Sequence, residues 1–447
     1  MEASLMEILE ARERRAQKQK ALLTAYEKPL LCFTMNTPGP VKYSRDICLG
    51  FHVGMWLLED ALAQYPVLHR DHSLSSTGPE AYYIVDTVPE ALKRLAIELE
   101  EIEPIGRLFD MDVITPTGDK LSREALGYPR RKCLLCDNDA AVCARSRAHG
   151  LEALQDRTGF LLYMTAIDFF CEWIAAQAYL ALQQEVSATP KPGLVDRNNR
   201  GSHQDMDLRH FFASANALRP YFSRFAQTGF LTRDLAPEET FRRLRPIGME
   251  AEEAMFLATH GVNTHKGAIF SMGLLCAAAG RLTPEQWTAE TLLGQCAAMT
   301  QGLVAAELQG ITPATAKTAG EKLYAAYGIT GARGQAEAGF PAVAAVGLPT
   351  LRKALEKGLS KNDACCIALL YLLAAADDTN LIHRGSREQQ LHWKNRIAQW
   401  LQQEPFPPME KIAALDQEFI AANLSPGGTA DLLAITYFVY LLTENGG

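Results

Sequence analysis

Hydrophobic and polar positions change pattern along this chain of 447 residues. Over residues 1–156, the apolar runs LLCFTM and AYYIVDTV suit strands and alternate with helical stretches, and a Thr117-Gly118 pair predicts a hairpin. From about residue 159, apolar positions recur at helical spacing almost everywhere, as in LRHFFASANALRPYF. The pattern therefore predicts a multidomain protein, with an α+β domain over 1–156 followed by a larger all-α domain over 157–447.

The composition is that of a folded protein, with 48% hydrophobic and 21% charged residues. A net charge of -8 gives no general attraction to nucleic acid or anionic membranes, so neither is expected as a partner. The most apolar stretch, GFLLYMTAIDFFCEWIAAQAYLAL, is interrupted by Asp168 and Glu172, which favours a buried core helix over a membrane span. The charged N-terminus lacks the apolar core of a signal peptide, so we expect a cytoplasmic protein whose ten Cys are mostly free thiols.

Three polar segments of the second domain are candidates for one functional pocket. The segment 185–207 concentrates acids, a histidine and a lysine around two prolines, without helical or strand periodicity. The segments 259–270 and 376–386 have the same density of polar groups beside apolar helices. Because loops held by a scaffold are where catalytic groups concentrate, we expect the three segments to converge.

In the first domain, Asp110 and Asp112 stand two positions apart on a predicted strand, so their carboxylates face the same side. Such a pair can hold Mg²⁺ against the phosphates of a nucleotide, although a solvated strand face gives the same pattern. Arg107 and Lys42 would add cations that bind phosphate. The sequence thus predicts a magnesium and phosphate site on this strand.

A cluster of cysteines follows the predicted strands. Cys133 and Cys136 have the C-x₂-C spacing of a zinc site, and Cys143 and His149 could complete the ligand set. The alternative is that these thiols are simply buried beside a basic stretch that faces phosphate. The spacing leaves both interpretations open.

The motifs of the first domain resemble a known family. The run from GPVK through GRLFDMDV to PRRKCLLCDNDAAVCAR is similar to the holo-acyl-carrier-protein synthase of citrate lyase, the apo-citrate-lyase phosphoribosyl-dephospho-CoA transferase. The related malonate decarboxylase enzyme is a nucleotidyltransferase with a catalytic Asp pair, and the resemblance carries that role to Asp110 and Asp112. It implies a nucleotidyltransferase-like α+β domain whose partner is the acyl carrier (gamma) subunit of citrate lyase.

The second domain resembles triphosphoribosyl-dephospho-coenzyme A synthase through nearly all of residues 160–447. The motifs that carry this resemblance are EVSATPKPGLVD, GSHQDM, GVNTHKGAIFSMGLL, GARGQAEAGFP, DDTNLIHRG and LSPGGTADLL. That family joins ATP to 3′-dephospho-CoA and releases adenine, and its product is the substrate of the first family. The two resemblances together imply a bifunctional enzyme that matures citrate lyase.

Breaking the N-glycosidic bond of ATP requires an acid near adenine and a base for the attacking 2′-hydroxyl, and two carboxylates in different environments can divide this work. The candidate catalytic residues are Asp205 and Glu337, with His203 and Asp196 as substitutes. Mg²⁺ held by Glu185 or Asp378 would complement cations at the triphosphate. The residues expected to bind substrate or phosphate are Lys191, Asp196, Asn263, His265, Lys266, Arg333, Asn380 and Arg384.

Some positions depart from the pattern of the second family. Asp377 replaces a more usual small residue, and Ser386 replaces a Gly after Arg384. Gln335 stands where the resemblance implies Glu, so a metal or acid role there would be lost. Two alternatives to the citrate lyase function are the equivalent maturation enzyme of malonate decarboxylase and a non-catalytic nucleotide-binding protein.

Overall fold

The computed structural model describes residues 4–445, and the chain forms two compact units, Met1–Phe170 and Cys171–Gly447. The first unit contains helices and one small antiparallel sheet, and the second is helical throughout its described part. The chain is thus mostly helical, with its sheet in the N-terminal part. The predicted boundary after residue 156 falls inside a helix that spans Leu151–Thr165.

The first unit is built on a five-stranded antiparallel sheet in the order β2-β3-β1-β4-β5. Its strands are β1 (Leu30–Met35), β2 (Val67–Ser73), β3 (Glu80–Val85), β4 (Phe109–Ile114) and β5 (Lys120–Leu121). Its helices are α1 (Leu5–Tyr26), α2 (Arg45–Leu62), α3 (Pro89–Glu100), α4 (Ala140–Ser146) and α5 (Leu151–Thr165). A π-helical turn over Ala166–Phe170 follows α5.

Alternation along β1 and β4 divides their side chains between the two faces of the sheet, and each face has a buried apolar cluster. Phe33 is fully buried in a core formed with α2 and α3. On the other face, Cys32 lies opposite Asp112, and Thr34 lies opposite Asp110. Because side chains alternate along a strand, both carboxylates face the same side of the sheet, as the spacing predicts.

The apolar runs predicted as strands are present, but one strand escapes the pattern. β1 coincides with LLCFTM, and AYYIVDTV overlaps β3. The strand that the sequence does not reveal is β2, an edge strand of sequence VLHRDHS whose side chains are mostly exposed. Because an edge strand that faces solvent carries polar residues on both sides, it lacks the apolar alternation that marks a buried strand.

The second unit consists of helices joined by loops. These are α6 (Cys171–Ser187), α7 (Leu208–Leu231), α8 (Pro237–Ala258), α9 (Lys266–Arg281), α10 (Ala289–Met299), α11 (Leu303–Leu308), α12 (Ala319–Tyr327), α13 (Gly331–Glu337), α14 (Leu348–Glu356), α15 (Lys361–Ala375), α16 (Thr379–Arg384), α17 (Arg387–Gln403), α18 (Met409–Ala421) and α19 (Gly427–Asn445). The predicted apolar face of α7 is buried through Ala215, Leu218 and Phe222. Helices α6, α8 and α9 pack around α7.

One helical stretch, Leu151–Ser187, is long and apolar enough to cross a membrane by length and composition. Its apolar side chains are nevertheless used in packing. Leu161 and Leu162 join the core of the first unit, and Ile174 and Leu182 are buried in α6. This burial favours the core-helix interpretation.

The close approach of α7 and α9 depends on glycine. A Cβ added at Gly229 would overlap the backbone of Ala277, and one added at Gly280 would overlap the carbonyl of Ala226.

Gly229→Ala is therefore expected to destabilise the protein by about 1–3 kcal/mol. Gly294→Ala, in α10 with open space at its Cβ position, is expected to stabilise it by up to about 1 kcal/mol. Urea denaturation followed by circular dichroism measures the free energy of unfolding of both variants and of the wild type. Equal values for the two variants would contradict the close contact between α7 and α9.

Candidate functional site

The three polar segments predicted to converge line one cavity of about 400 Å³ in the second unit. A fourth segment joins them at the start of α19, where Gly427, Gly428 and Asp431 face the cavity. The volume is within the range of small-molecule sites. The predicted residues that line it are Glu185, Lys191, His203, Asn263, His265, Lys266, Asn380 and Arg384.

A buried ion pair forms part of the cavity wall. Glu185, near the end of α6, accepts a hydrogen bond from the ammonium of Lys191, and both side chains are buried. Burial raises the pKa of Glu185, and the charge of Lys191 opposes that shift. Asp196 shapes the loop that carries Lys191, because its carboxylate accepts hydrogen bonds from the backbone N–H groups of Lys191, Asn198 and Asn199.

Asp431, the fifth residue of α19, lines the cavity with a carboxylate that has no hydrogen-bond partner among residues 4–445. Burial, and then the negative charges of Glu185 and Asp378, raise the pKa of Asp431 well above its usual value. Gly267 at the start of α9 makes room for this side chain, because an added Cβ would overlap its Oδ2. Asp431 is therefore suited to hold a proton inside the cavity.

His265 is a neutral ring in the same cavity. Its Nδ1 is 2.7 Å from the hydroxyl of Ser214, and its buried Nε2 has no partner in the described chain. Burial, and then the nearby charge of Lys191, lower the pKa of His265 to about 3. The rings of Phe211 and His265 pack in a T-shaped arrangement at a centroid distance of 5.0 Å. The free Nε2 is available to a bound substrate.

Arg384 and His203 hold each other at the cavity wall. Arg384 donates to Nδ1 of His203 at 3.0 Å and to the carbonyl of Ser202 at 2.9 Å. Because a guanidinium only donates, Nδ1 carries no proton, and Nε2–H of His203 donates to the hydroxyl of Ser425 at 2.8 Å. Burial, and then the charge of Arg384, lower the pKa of His203. His203 thus orients Arg384 and is not a free base.

Asp378 is buried beside the cavity and caps two helices. One carboxylate oxygen accepts hydrogen bonds from the N–H groups of Asn380 and Leu381 at 2.9 Å, and the other accepts from the N–H and hydroxyl of Thr429 at 2.6 and 2.7 Å. These donors fill the lone-pair sites of the carboxylate. With Asp378 used in this way and Glu185 bound to an ammonium, the two carboxylates predicted to hold Mg²⁺ do not fit a metal site here.

A second cavity, of about 360 Å³, shares Lys266, Gly267 and Ala332 with the first. Its lining includes three phenylalanines and is more apolar than that of the main cavity. It also contains Arg333, which forms an ion pair with Glu307 at 2.6 Å. Two cavities that meet at Lys266 can hold two substrates side by side.

The two carboxylates predicted to act as acid and base, Asp205 and Glu337, line neither of these cavities. The side chain of Asp205 is 65% exposed and lies 3.7 Å from Nδ1 of His203. Both oxygens of Glu337 accept hydrogen bonds from the backbone, one from Gly302 and the other from Val304, at 2.8 Å. Their contacts do not place these carboxylates for acid–base work in the cavity.

Asp431 is the residue that sequence reasoning did not assign. In α19 it is the single charged residue before Glu444, within an otherwise apolar helix. A charged residue in such an apolar helix is rare without a function. This isolated charge is the sequence signal that could have identified Asp431. Gln335, where the family resemblance implies Glu, also lines the cavity, and its Oε1 has no partner among the described residues.

The aspartate pair of the first unit is asymmetric. Asp112 accepts a hydrogen bond from Lys120 at 2.6 Å. Asp110 has no hydrogen-bond partner in the part of the chain that the structure describes, and burial, followed by the charge of Asp112, raises the pKa of Asp110. The pair thus offers one free and one lysine-bound carboxylate on the same face of the sheet.

The two cations predicted to bind phosphate in the first unit are engaged by backbone carbonyls. Lys42 donates to the carbonyl of Thr37. Arg107 donates to the carbonyls of Lys132 and Cys133. Both side chains therefore order loops in this state.

The four residues of the cysteine cluster also come together, with their ligand atoms within 4.8 Å of one another.

A family model described as ATP:dephospho-CoA triphosphoribosyl transferase matches residues 171–447, more than half of the chain. The chain belongs to this family. A second model, described as apo-citrate lyase phosphoribosyl-dephospho-CoA transferase, matches residues 3–162. The two transferase families thus lie on one chain, one in each region.

Relatives with the same arrangement extend over the whole chain. Protein CitXG of Haemophilus influenzae is 38% identical and covers 97% of this chain and 95% of its own length. Protein CitXG of Leuconostoc mesenteroides subsp. cremoris is 34% identical, with coverages of 98% and 96%. The 2-(5''-triphosphoribosyl)-3'-dephosphocoenzyme-A synthase of Pectobacterium atrosepticum is 45% identical over 262 residues, which are 58% of this chain and 86% of that protein.

The predicted function, maturation of citrate lyase by a bifunctional transferase, is confirmed by these matches. ATP and dephospho-CoA are the substrates of the triphosphoribosyl transferase family. The other family acts on apo-citrate lyase, and its substrate is the acyl carrier protein of that enzyme. Maturation of malonate decarboxylase and a non-catalytic role receive no support from the matched families.

The buried ring of His265 predicts a pH-dependent stability. Because the pKa of His265 in the folded protein is about 3 and that of an unfolded His is ~6.5, the unfolded chain alone binds a proton between these values. Stability present above ~pH 6.5 is therefore lost as the pH falls toward 3. In urea denaturation, His265→Gln is expected to reduce the loss of stability between about pH 7.5 and 5 by about 2 kcal/mol. The exposed His392→Gln is the control, and an equal loss in all three proteins would contradict a neutral His265.

Proposed function

We propose that the two units are separate domains that catalyse successive steps in the cytoplasm. The helical domain makes 2′-(5″-triphosphoribosyl)-3′-dephospho-CoA and releases adenine. The nucleotidyltransferase-like N-terminal domain then transfers the phosphoribosyl-dephospho-CoA group to a serine of the citrate lyase gamma subunit and releases pyrophosphate. The observation that carries the first step is the unpaired Asp431 beside the Glu185–Lys191 pair in one cavity. Ten free cysteines suit a reducing compartment.

Asp431 and Glu185 divide the acid–base work of the first step. The 2′-hydroxyl of dephospho-CoA attacks C1′ of the ATP ribose, the bond from C1′ to adenine breaks, and adenine leaves with the bonding electrons. Asp431, whose raised pKa favours its protonated form, gives its proton to adenine, and Glu185 takes the proton of the hydroxyl. Lys191 favours the ionised form of Glu185 against the effect of burial.

The triphosphate of ATP is preserved in this step, so its contacts only position the substrate. Besides Lys191, the cations of the cavity wall are Lys266 and Arg384. Lys266 also pairs with Glu252 at 2.8 Å. Gly427 and Gly428 open α19, and the N–H groups at a helix N-terminus favour an anion. This arrangement supports binding of the triphosphate without a metal site built from Glu185 and Asp378.

Two substrates must meet for the reaction, and the two cavities provide for both. The more polar main cavity suits the nucleotide whose glycosidic bond breaks. The more apolar second cavity suits the pantetheine arm of dephospho-CoA. Lys266 belongs to both linings and therefore stands where the two substrates would come together.

In the second step, the hydroxyl of the carrier serine attacks the innermost phosphate of the triphosphate. A new O–P bond forms, the hydroxyl releases its proton to solvent, the bond to pyrophosphate breaks, and pyrophosphate leaves with the electron pair. The prosthetic group stays attached through a phosphodiester. The triphosphate that the first reaction preserves is thus the leaving group of the second.

Asp110 and Asp112 fit a Mg²⁺ site for this transfer. They supply hard carboxylate oxygens on one face of β4, and those of Asp110 are not bonded to other described residues. When bound there, Mg²⁺ would neutralise charge on the phosphates. Lys120, held by Asp112, places a further cation beside the same face. Asp110 and Asp112 would therefore hold the ion against the phosphates, and Lys120 adds to the neutralisation of the phosphate charge.

Asp431→Asn is expected to slow adenine release by about 10²–10⁴-fold, because the amide cannot give a proton to adenine. Chromatography of adenine formed from ATP and dephospho-CoA measures the rate. Glu418→Gln, on the surface where Glu418 pairs with Arg396, is the matched control. Asp205→Asn is expected to stay within a few-fold of wild type, and a larger loss in Asp205→Asn than in Asp431→Asn would restore the sequence-based assignment.

Asp110→Asn is expected to abolish loading of the apo carrier while adenine release continues, because the free carboxylate of the pair is lost. Mass spectrometry of the carrier measures loading. Asp119→Asn, at an exposed position in the neighbouring hairpin turn, is the control. Intermediate isolated from the Asp110→Asn protein should be loaded onto the carrier by Asp431→Asn. Loss of both reactions in Asp110→Asn, or normal loading by it, would contradict the division of labour.

A further inference from the structure

The cysteine segment brings four ligand atoms to the spacing of a metal site. The sulfurs of Cys133, Cys136 and Cys143 and a ring nitrogen of His149 lie within 4.8 Å of one another. The Sγ of Cys136 is 3.6 Å from that of Cys143 and 3.3 Å from Nε2 of His149. In a tetrahedral zinc site with bonds of about 2.0–2.3 Å, neighbouring ligand atoms lie about 3.3–3.8 Å apart.

The loop that carries Cys133 and Cys136 is closed by its own backbone. The N–H of Cys133 donates to the carbonyl of Asn138 at 2.7 Å. This loop therefore holds two of the four candidate ligands close together.

A second local feature brings the other two ligands back to this loop. Cys143 lies in α4, whose N-terminus is capped by Asp139. Arg147 adopts a left-handed conformation with φ of 49° and ends the helix, and the N–H of Ala148 bonds to the carbonyl of Cys143 at 3.1 Å. This reversal of the chain turns His149 toward the sulfurs.

The segment has no hydrophobic core of its own. Between residues 121 and 150, Cys133 and Cys143 are the buried residues, and every other one is partly or fully exposed. A segment with so little apolar burial needs another source of stability, and a bound metal is the usual one in small folds. Core packing therefore does not explain why the thiols converge.

We propose that Cys133, Cys136, Cys143 and His149 bind one Zn²⁺ in a closed tetrahedral site. Each coordinating thiol releases its proton to solvent, so three thiolates and one neutral imidazole surround the dication. Soft thiolates select zinc over hard cations such as Mg²⁺. Because all four positions are filled by the protein, the ion is structural and has no open position for substrate.

The zinc-bound segment is fastened to the strand of the aspartate pair. Arg107 donates to the carbonyl of Cys133 at 2.8 Å. Arg131, from the segment itself, donates to the carbonyl of Phe109, the first residue of β4, at 2.8 Å. Loss of zinc should therefore loosen the end of β4 next to Asp110 and reduce loading of the carrier. This consequence rests on the proposed function, whereas zinc binding does not.

Elemental analysis of the full chain, purified under reducing conditions with zinc supplied, tests the site. It is expected to give about one zinc per chain, and Cys136→Ser or Cys143→Ser should lower the content at least about tenfold. Cys366→Ala, a buried thiol of α15, is the matched control and keeps its zinc. His149→Cys should also keep zinc, because four thiolates bind it, and should alter the absorption spectrum of the cobalt-substituted protein.

Zinc-free protein under these conditions, unchanged zinc in both Ser variants, or a disulfide between Cys136 and Cys143 that persists under reducing conditions would each overturn the site. Adenine release measured in the same samples reports whether the helical unit of each variant is folded. Zinc-loaded protein that never loads the carrier would contradict the proposed function and leave the metal site standing.

Discussion

The burial of carboxylates around one cavity is the constraint on which the helical unit depends. Glu185 is stabilised there by the ammonium of Lys191, and removing one partner of such a buried pair costs about 3–5 kcal/mol. Asp431 has no comparable cation among the described residues, so its protonated form is favoured. Two neighbouring carboxylates therefore differ in proton affinity because only one of them is paired.

The N-terminal unit contains the same asymmetry on a strand. Asp112 is bound to Lys120, whereas Asp110 is partly buried without a hydrogen-bond partner in the described chain. In each unit, then, one carboxylate is bound by a lysine and its neighbour has no such partner among the described residues. The surroundings of the two pairs differ, because the helical cavity encloses Asp431, whereas the sheet presents Asp110 and Asp112 on one face.

Local sequence signals predicted the parts of the site that depend on local structure. Three aperiodic polar segments gave most of the cavity wall, and the i, i+2 spacing gave the shared face of Asp110 and Asp112. Glu337 could not be assigned from such signals. The residues beside it in the sequence do not reveal that the N–H groups of Gly302 and Val304 each donate to one of its oxygens. The cysteine cluster is intermediate, since spacing suggested the four candidate ligands and the fold brought them together.

The sequence by itself determined the type and order of most elements, because hydrophobic periodicity is a property of neighbouring residues, and its motifs determined both reactions. Only the tertiary structure decided which acids are free. His203 meets Ser425, and Asp378 meets Thr429, across long stretches of chain. Whether an acid is capped, paired or left to hold a proton depends on such distant donors and on burial, and neither is written in the residues beside it.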